Sequence, residues 1–218
     1  MKKFVLLIAL FLISLKPFAQ DCSQYVFMKK GRTIEMTSFN GGGTMMHKAV
    51  MVINEVTTAN GITTATVEAQ NFDKNGQPRG KNTVTYKCDN GTLNIDISAM
   101  MPQQGNFQLS TAYFKYPPGM KVGDHFDNVT MTMTMNMGSK TVKSTTVVSD
   151  RTVASQESVT TPAGTWKCLK MTYKMTTTME GLSAQPYTTM ATEWYVPNFG
   201  IVQFQIGAML TKMTAIKD

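Results

Sequence analysis

Apolar and polar residues alternate along the chain in short runs, and Asn-Gly pairs separate the first of these runs. The runs are residues 49–57, 62–72, 82–88 and 92–97. The separating pairs are Asn60-Gly61, Asn75-Gly76 and Asn90-Gly91. Period-two alternation is typical of half-buried strands. Asn-Gly tolerates the positive φ that both central positions of a type I′ hairpin turn require. The pattern therefore predicts consecutive antiparallel hairpins.

The same pattern returns in the second half of the chain after a less regular middle. Strands are predicted at residues 129–137, 140–149, 151–159, 165–179, 188–196 and 201–213, with a turn at Gly138-Ser139 among others. Residues 100–119 contain Pro102, Pro117 and Pro118. Proline cannot donate to a β ladder, so a continuous central strand is excluded there. We predict a crossover loop, with room for one helical turn.

No segment shows the period of a convincing amphipathic helix. Since no helices cover a face of the sheet, the strands must fold over each other or curl. The predicted fold class is all-β: an antiparallel meander of about 10–12 strands, arranged as a curved half-barrel, a barrel or a sandwich.

The first 19 residues have the order of a cleavable signal peptide. Two lysines come first, residues 4–15 are apolar except Ser14, and Pro17-Phe18-Ala19 ends the run. The run is shorter than the roughly 20 residues of a transmembrane helix, so no transmembrane segment is predicted. We predict a signal peptide at residues 1–19 and a single antiparallel β domain at residues 20–218. The protein is expected to be exported: periplasmic, outer-membrane-associated or secreted.

The charge of the chain excludes one class of partner. The full chain carries a formal +7, and three of its lysines, Lys2, Lys3 and Lys16, lie in the predicted signal peptide, which leaves +4. The remaining basic residues are scattered singly, without a basic run or an aromatic-interleaved stripe. No nucleic-acid partner is predicted.

The three cysteines, Cys22, Cys88 and Cys168, allow at most one intramolecular disulfide and leave one thiol over. The sequence does not decide which two are joined, and Cys88 or Cys168 could instead be a small buried apolar residue. Their spacing lacks a CxxC pattern and the chain has only two histidines, so no zinc-type site is predicted. A lipid anchor is not predicted either, because Gln20 and Asp21 precede Cys22.

Methionine is the unusual component of the composition, with 19 in the chain. Four of them, Met131, Met133, Met135 and Met137, alternate with polar residues and are therefore expected on one face of a strand. Three interpretations stay open for this face. It could pack into the core, it could line a cavity for an apolar ligand, or its thioethers could bind a soft metal such as Cu(I), with help from Met171, Met175 and Met179. The four methionines are the candidate ligand-binding residues.

Catalytic signatures are absent from the sequence. There is no GxSxG, no HExxH and no phosphate-binding glycine loop, since Gly41-Gly42-Gly43 precedes Thr44-Met45-Met46. His47 and His125 are isolated in sequence, and Asp96 and Glu193 could be brought together only by the tertiary fold. We expect no enzymatic activity, no catalytic residue, no cofactor and no dedicated metal site.

Several segments resemble a known family. They are residues 159–173, 193–202, 28–31 with Cys22, 86–91 with Asp96, and 120–124. Together they resemble an uncharacterised family of secreted proteins often labelled TapB-like, and more loosely the curved sheets of periplasmic lipoprotein carriers. The resemblance implies a curved sheet with a ligand cavity and no established activity. Glu193-Trp194-Tyr195, ahead of Pro197, is expected to end an edge strand.

Two functions of different class follow from these observations. The first is a carrier that holds a lipid-like, apolar or amphipathic small molecule on a curved sheet. The alternative is a structural or protein-interaction module whose partners are envelope proteins. Soft-metal binding by the methionine face is a minor third possibility.

Overall fold

The computed structural model describes residues 22–98, 107–137, 140–181 and 185–218. The signal peptide predicted at residues 1–19 and the turn predicted at Gly138-Ser139 lie outside these ranges. Two 3₁₀ turns, Cys22–Gln24 and Val26–Met28, open the described part. The strands that follow are β1 (Thr33–Phe39), β2 (Met45–Ala59), β3 (Ile62–Asp73), β4 (Pro78–Asp89), β5 (Thr92–Asp96), β6 (Phe107–Leu109), β7 (Tyr113–Tyr116), β8 (Val129–Met137), β9 (Lys140–Thr161), β10 (Gly164–Glu180), β11 (Tyr187–Val196), β12 (Gly200–Ile206) and β13 (Met209–Lys217).

All thirteen described strands belong to one antiparallel sheet, which is curled into a half-barrel. The order across the sheet is β6-β8-β9-β10-β11-β12-β13-β1-β2-β3-β4-β5-β7. β1 pairs with β13, so the first and last strands of the sequence lie side by side. The predicted all-β antiparallel fold is confirmed. Among the described residues, no helix is long and apolar enough to cross a bilayer.

The hairpin turns follow the sequence prediction at two of the three Asn-Gly pairs. Asn60-Gly61 and Asn90-Gly91 have positive φ at both positions, with values of 53° and 79°, and 47° and 78°. Asn75-Gly76 differs, because only Gly76 has a positive φ, of 75°. The Asp73 carboxylate accepts the backbone N–H groups of Asn75 and Gln77, both at 2.9 Å, and this organises a four-residue loop in place of a type I′ turn.

Some boundaries differ from the prediction. Residues 100–119 were expected to form a crossover loop, but their described part contains the short strands β6 and β7. The single strand expected at residues 201–213 is two strands, with a turn at Gly207-Ala208. β11 was expected to be an edge strand, and it instead lies between β10 and β12. Pro197 ends β11 without disturbing a ladder because it falls in the following turn.

The N-terminal residues 22–28, here called the N-terminal plug, close one end of the half-barrel. The backbone N–H of Val26 donates to Phe199 O at 2.8 Å. The ring of Phe27 stacks on Tyr86 with centroids 4.0 Å apart. A disulfide joins Cys22 to Cys88 on β4. Cys168 is the free and buried thiol.

Aromatic contacts across the interior bring β7 against the opposite part of the sheet. Tyr116 stacks on Tyr195 with centroids 4.8 Å apart, and the ring of Phe114 meets the edge of Tyr173 at 5.5 Å. β7 is the last strand at one edge of the sheet, whereas β10 and β11 belong to its other half. These rings therefore hold the sheet in its curled shape, and between them and the plug they bound an internal space.

Candidate functional site

A cavity of about 250 Å³ lies inside the curled sheet. Its walls come from both halves of the sheet and are mainly apolar. Typical wall residues are Met36, Met51, Val84, Phe114, Ile201 and Phe204. Such walls favour an apolar or amphipathic occupant, because burying apolar surface releases roughly 25 cal/mol for each Å².

The two ends of the cavity differ. At one end lie Phe27 of the N-terminal plug and Tyr86, on which its ring stacks, and both are buried. At the other end are half-exposed residues, mostly polar, from strand positions at one rim of the sheet: His47, Asn71 and Asn82. We call this rim the mouth of the cavity. The cavity is thus closed by aromatic rings at the plug and reaches the surface at the mouth.

Two alanines leave room for the cavity. Ala49 on β2 and Ala69 on β3 both line it. They are diagonal neighbours on one face, since Ala49 pairs with Asn71 and Ala69 pairs with Met51. A larger side chain at either position would project into the space. The small residues on adjacent strands explain why the curled sheet is not filled by its own side chains.

A buried carboxylate with two tyrosines forms the polar part of the cavity wall. Glu193 on β11 is 4% exposed. Tyr173 donates its hydroxyl hydrogen to Glu193 Oε1 at 2.8 Å, and Tyr116 donates to Oε2 at 2.9 Å. All three residues line the cavity. We call Tyr116, Tyr173 and Glu193 the polar patch.

Arg151 supplies the positive charge for this patch. Its Nη2 lies 3.6 Å from Glu193 Oε2, and both side chains are almost completely buried. Its Nη1 donates to the backbone oxygen of Lys115 at 3.0 Å. The guanidinium lies 4.6, 4.5 and 4.9 Å from the ring centroids of Phe114, Tyr116 and Phe126. Cation–π contact and the ion pair together stabilise the buried charge.

A β-bulge directs Arg151 into the interior. Asp150 and Arg151 on β9 stand opposite the single residue Tyr173 on β10. Asp150 has a φ of 55°, and this left-handed backbone conformation lets β9 accommodate one extra residue opposite Tyr173. Among the described residues, Arg151 Nε is the one buried side-chain nitrogen or oxygen without a hydrogen-bond partner. It is enclosed by the aromatic rings and does not line the cavity.

The tyrosines of the patch are held in their protonated form. Burial, followed by the negative charge of Glu193, raises the pKa of Tyr116 well above its ordinary value. The same two causes raise the pKa of Tyr173. Each phenol therefore keeps its hydrogen and donates it to the carboxylate. Glu193 receives these two bonds and the Arg151 ion pair, so its charge is balanced within the protein.

A second polar group lies at the mouth. His47 Nε2 is 3.1 Å from Ser38 Oγ, and Ser38 Oγ is 2.7 Å from Thr211 Oγ1. Burial lowers the pKa of His47, which favours the neutral imidazole. The contact between Ser38 and His47 depends on the β1–β2 register, so sequence patterns do not predict it. Ser38 is fully buried, so its hydroxyl is a structural link between strands.

Three of the four predicted ligand-binding methionines, Met131, Met133 and Met135, share one face, and the cavity lies elsewhere. Met131, Met133 and Met135 are half-buried on β8. They face the same side as the buried Val142 on β9, since Met135 pairs with Val142. The side chain of Met137 lies outside the described part. The residues that line the cavity belong to other strands, so ligand binding by this methionine face stays a prediction.

Soft-metal binding by the same face also stays a prediction. Met179 on β10 shares this face, but β9 lies between it and β8: Ser144 pairs with both Met133 and Met179. The backbones of Met133 and Met179 are therefore two strand spacings apart, which is about 9–10 Å. Within the described ranges, no cluster of three or more His, Cys, Asp or Glu residues could hold a metal ion.

Sequence reasoning did not find the polar patch, although one signal was available. Ala191, Glu193 and Tyr195 occupy alternate positions of β11 and are all buried. A carboxylate at an inward-facing position is costly unless it is paired, so it marks a polar site in the interior. Arg151, the partner of Glu193, could not be recognised in the same way, because the direction of its side chain depends on the bulge at Asp150.

The sequence and the fold each resemble known proteins. Residues 29–205 match the model of a family described as DUF3108-like. A candidate lipoprotein from Parabacteroides distasonis has a crystal structure that matches with a TM-score of 0.76 and 22% identity, over 91% of this chain and 100% of that chain. A candidate exported protein from Bacteroides fragilis, with a YmcC-like fold, matches with a TM-score of 0.71 and 20% identity, over 87% of this chain and 97% of that chain. No curated protein matches the sequence.

Proposed function

The chain belongs to the DUF3108-like family. We propose that it is an exported, non-enzymatic carrier of one small apolar or amphipathic molecule. The observation that carries the proposal is the cavity of about 250 Å³ inside the half-barrel, with apolar walls, a closed end and a mouth. The polar patch gives such a ligand one place for a polar group.

The size of the cavity supports a small ligand. Ligand pockets commonly have volumes of about 300–1,000 Å³, and this cavity lies just below that range. A single alkyl chain or a small ring fits a space of this size. A lipid with two acyl chains would have to leave most of its length outside the mouth.

Three observations support export. The order of residues 1–19 is that of a signal peptide. The Cys22–Cys88 disulfide is typical of an oxidising compartment. Two solved structures that share the fold are a candidate lipoprotein and a candidate exported protein. The resemblance to TapB-like proteins and to periplasmic lipoprotein carriers points to the cell envelope as the place of action.

Native mass spectrometry of the protein purified from its own cell envelope tests the proposal. We expect an adduct of lipid-like mass that delipidation removes. The variant Ala69→Leu places a larger side chain in the cavity and should lose the adduct. The variant Ala59→Leu is the matched control, because Ala59 is exposed at the end of β2; it should keep the adduct.

The proposal fails if the native protein is free of any adduct and takes up no added amphiphile. It also fails if Ala69→Leu carries the same adduct as the native protein, since binding would then occur outside the cavity.

A protein-interaction role is the second candidate, and exposed apolar side chains favour it. Tyr187 and Met190 on β11 are 53% and 56% exposed. They are three positions apart on the strand and therefore lie on opposite faces, so each would contact a partner as a single apolar side chain. A bare mass for the native protein, together with a partner that is lost in a Tyr187→Ser/Met190→Ser variant, would replace the carrier proposal by this one.

A further inference from the structure

We propose that the polar patch selects an uncharged hydrogen-bond donor, so that the ligand is an amphiphile with a hydroxyl group and not an alkyl carboxylate. This inference rests on the proposed carrier function. It follows from the hydrogens and charges that Tyr116, Tyr173 and Glu193 present to the cavity.

The patch offers acceptors and has no hydrogen left to donate. A tyrosine hydroxyl carries one hydrogen, and a carboxylate carries none. Tyr173 donates its hydrogen to Glu193 Oε1 and Tyr116 donates its hydrogen to Oε2. The remaining lone pairs on these oxygens can only accept. A ligand group that reaches the patch must therefore bring its own hydrogen.

The charge of the patch is already balanced. Arg151 lies 3.6 Å from Glu193, and both side chains are almost completely buried. An alkyl carboxylate at the patch would be a second buried anion beside Glu193, without a cation of its own. An alkyl ammonium would be a second buried cation. A hydroxyl group donates a hydrogen without adding charge, so it satisfies both conditions, whereas a carboxylate and an ammonium each fail one of them.

Arg151 cannot serve an incoming carboxylate. Its Nη1 donates to Lys115 O, and Nη2 faces Glu193. Its Nε has no hydrogen-bond partner among the described residues, but the aromatic rings enclose it and Arg151 does not line the cavity. The rings of Phe114 and Tyr116 lie over the guanidinium and form part of the cavity wall themselves. An anion would have to displace these rings to reach it. The ligand therefore meets the carboxylate side of the ion pair.

The rest of the cavity accommodates the apolar part of such a ligand. Met36, Met51 and Phe204 line it together with the small residues Ala49 and Ala69. These residues lie on strands that run to the mouth. A hydroxyl at the patch thus leaves an alkyl chain along an apolar wall, with its far end toward solvent.

Binding of 1-decanol and of decanoate, measured by titration calorimetry on the same protein preparation, tests the inference. At about pH 8 an alkyl carboxyl is ionised, as a glutamate would be. We expect 1-decanol to bind at least about tenfold more tightly than decanoate there. A protonated carboxyl is a donor without charge, so decanoate should gain affinity by about tenfold for each unit of pH lowered toward pH 6. The affinity of 1-decanol should stay constant.

Each outcome bears on the inference. Tighter binding of 1-decanol than of decanoate at about pH 8, with decanoate affinity rising as the pH is lowered, supports the inference. Equal affinities, or decanoate binding that does not change with pH, overturn it and leave the carrier function standing. If neither probe binds and the native protein carries no adduct, the carrier function fails and the inference fails with it.

A matched pair of variants locates the selectivity. Glu193→Gln removes the negative charge and adds an N–H donor, so the preference for 1-decanol over decanoate should fall at least about tenfold. Glu157→Gln makes the same change at a carboxylate that contacts Lys170 and Trp194 and does not line the cavity; the preference should stay the same. The ratio of the two affinities is compared within each variant, so a loss of stability in Glu193→Gln does not affect the comparison.

Discussion

Arg151 on β9 donates a hydrogen bond of 3.0 Å to the backbone oxygen of Lys115 on β7. In the order of the sheet, β7 is the last strand at one edge and β9 is the third strand from the other. One side chain therefore connects two distant parts of the same sheet across its interior. The same side chain balances the charge of Glu193, so the curl of the sheet and the polar patch depend on one residue.

Replacing Arg151 by methionine should destabilise the protein strongly. Glu193 would keep its two tyrosine donors but lose its cation, and breaking a buried ion pair in this way costs about 3–5 kcal/mol. The double variant Arg151→Met/Glu193→Gln leaves no unpaired buried charge, and it should be more stable than Arg151→Met alone. Urea unfolding followed by circular dichroism measures these differences.

The surface pair Lys174–Asp150 provides the control for this prediction. The two charged atoms are 2.9 Å apart, but at least half of each side chain is exposed. Lys174→Met should change the free energy of unfolding by no more than about 1 kcal/mol. If Arg151→Met costs no more than Lys174→Met, the ion pair does not stabilise the curled sheet.

The Cys22–Cys88 disulfide should stabilise the protein, whereas the thiol of Cys168 should not. The bond closes a loop with a sequence separation of 66 residues, and the loss of entropy in the unfolded chain corresponds to about 4 kcal/mol. Reduction, or the variant Cys22→Ala/Cys88→Ala, should lower the free energy of unfolding by an amount of this order.

Burial, followed by the charge of Glu157, raises the pKa of the Cys168 thiol to about 11, so this thiol should react slowly with alkylating reagents in the native state.

Peptide mapping of the oxidised protein checks the pairing directly. Cys168→Ala should retain the disulfide and most of the stability. A disulfide that includes Cys168 in the map would contradict the structure.

Two alanines on the same face of β3 should respond differently to enlargement. Ala65 is fully buried within the packed core, and Ala69, four positions along, lines the cavity. Ala65→Leu should destabilise the protein by about 1–3 kcal/mol, because the packed core has no space for the added groups. Ala69→Leu should have a smaller effect, since its side chain enters open space. Thermal unfolding of both variants without ligand makes the comparison, and equal losses would argue against an open cavity at Ala69.

The sequence predicts this fold well where the determinants are local. Asn60-Gly61 and Asn90-Gly91 form the expected turns because two residues and their allowed φ values decide the geometry. At Asn75-Gly76 the carboxylate of Asp73 binds two backbone N–H groups and imposes a longer loop. Met131, Met133 and Met135 lie on one side of β8 as expected, because period two alone determines which strand residues share a side.

The cavity and its polar patch depend on contacts that sequence patterns do not contain. Glu193 and Tyr116 are separated by 77 residues and meet only because the sheet curls. The bulge at Asp150 determines the direction of Arg151, and alternation does not predict a bulge. Ala49 and Ala69 become diagonal neighbours only through the register of β2 and β3, which the sequence pattern does not contain. The position of the cavity could therefore not be read from the methionine pattern.

Alkaline pH should unfold the protein cooperatively. Burial raises the pKa of five of the seven tyrosines: Tyr25, Tyr86, Tyr116, Tyr173 and Tyr195. A group whose pKa is higher in the folded state stabilises that state fully below its unfolded pKa. This stability is lost as the pH rises above the unfolded value of about 10. The unfolded chain releases these protons first, so the free energy of unfolding should fall steeply above about pH 10.

Tyrosinate absorbance and circular dichroism, recorded together against pH, check this prediction. The absorbance change of the five buried phenols should coincide with the loss of β structure, because each phenol ionises only when the chain unfolds. Tyr86→Phe retains the stacking on Phe27, removes one of these phenols and should make the fall in stability shallower by about 1.4 kcal/mol per pH unit. If all tyrosines ionise while the circular dichroism is still native, the phenols of the polar patch are accessible to solvent, and they cannot be the fixed hydrogen-bond donors of Glu193.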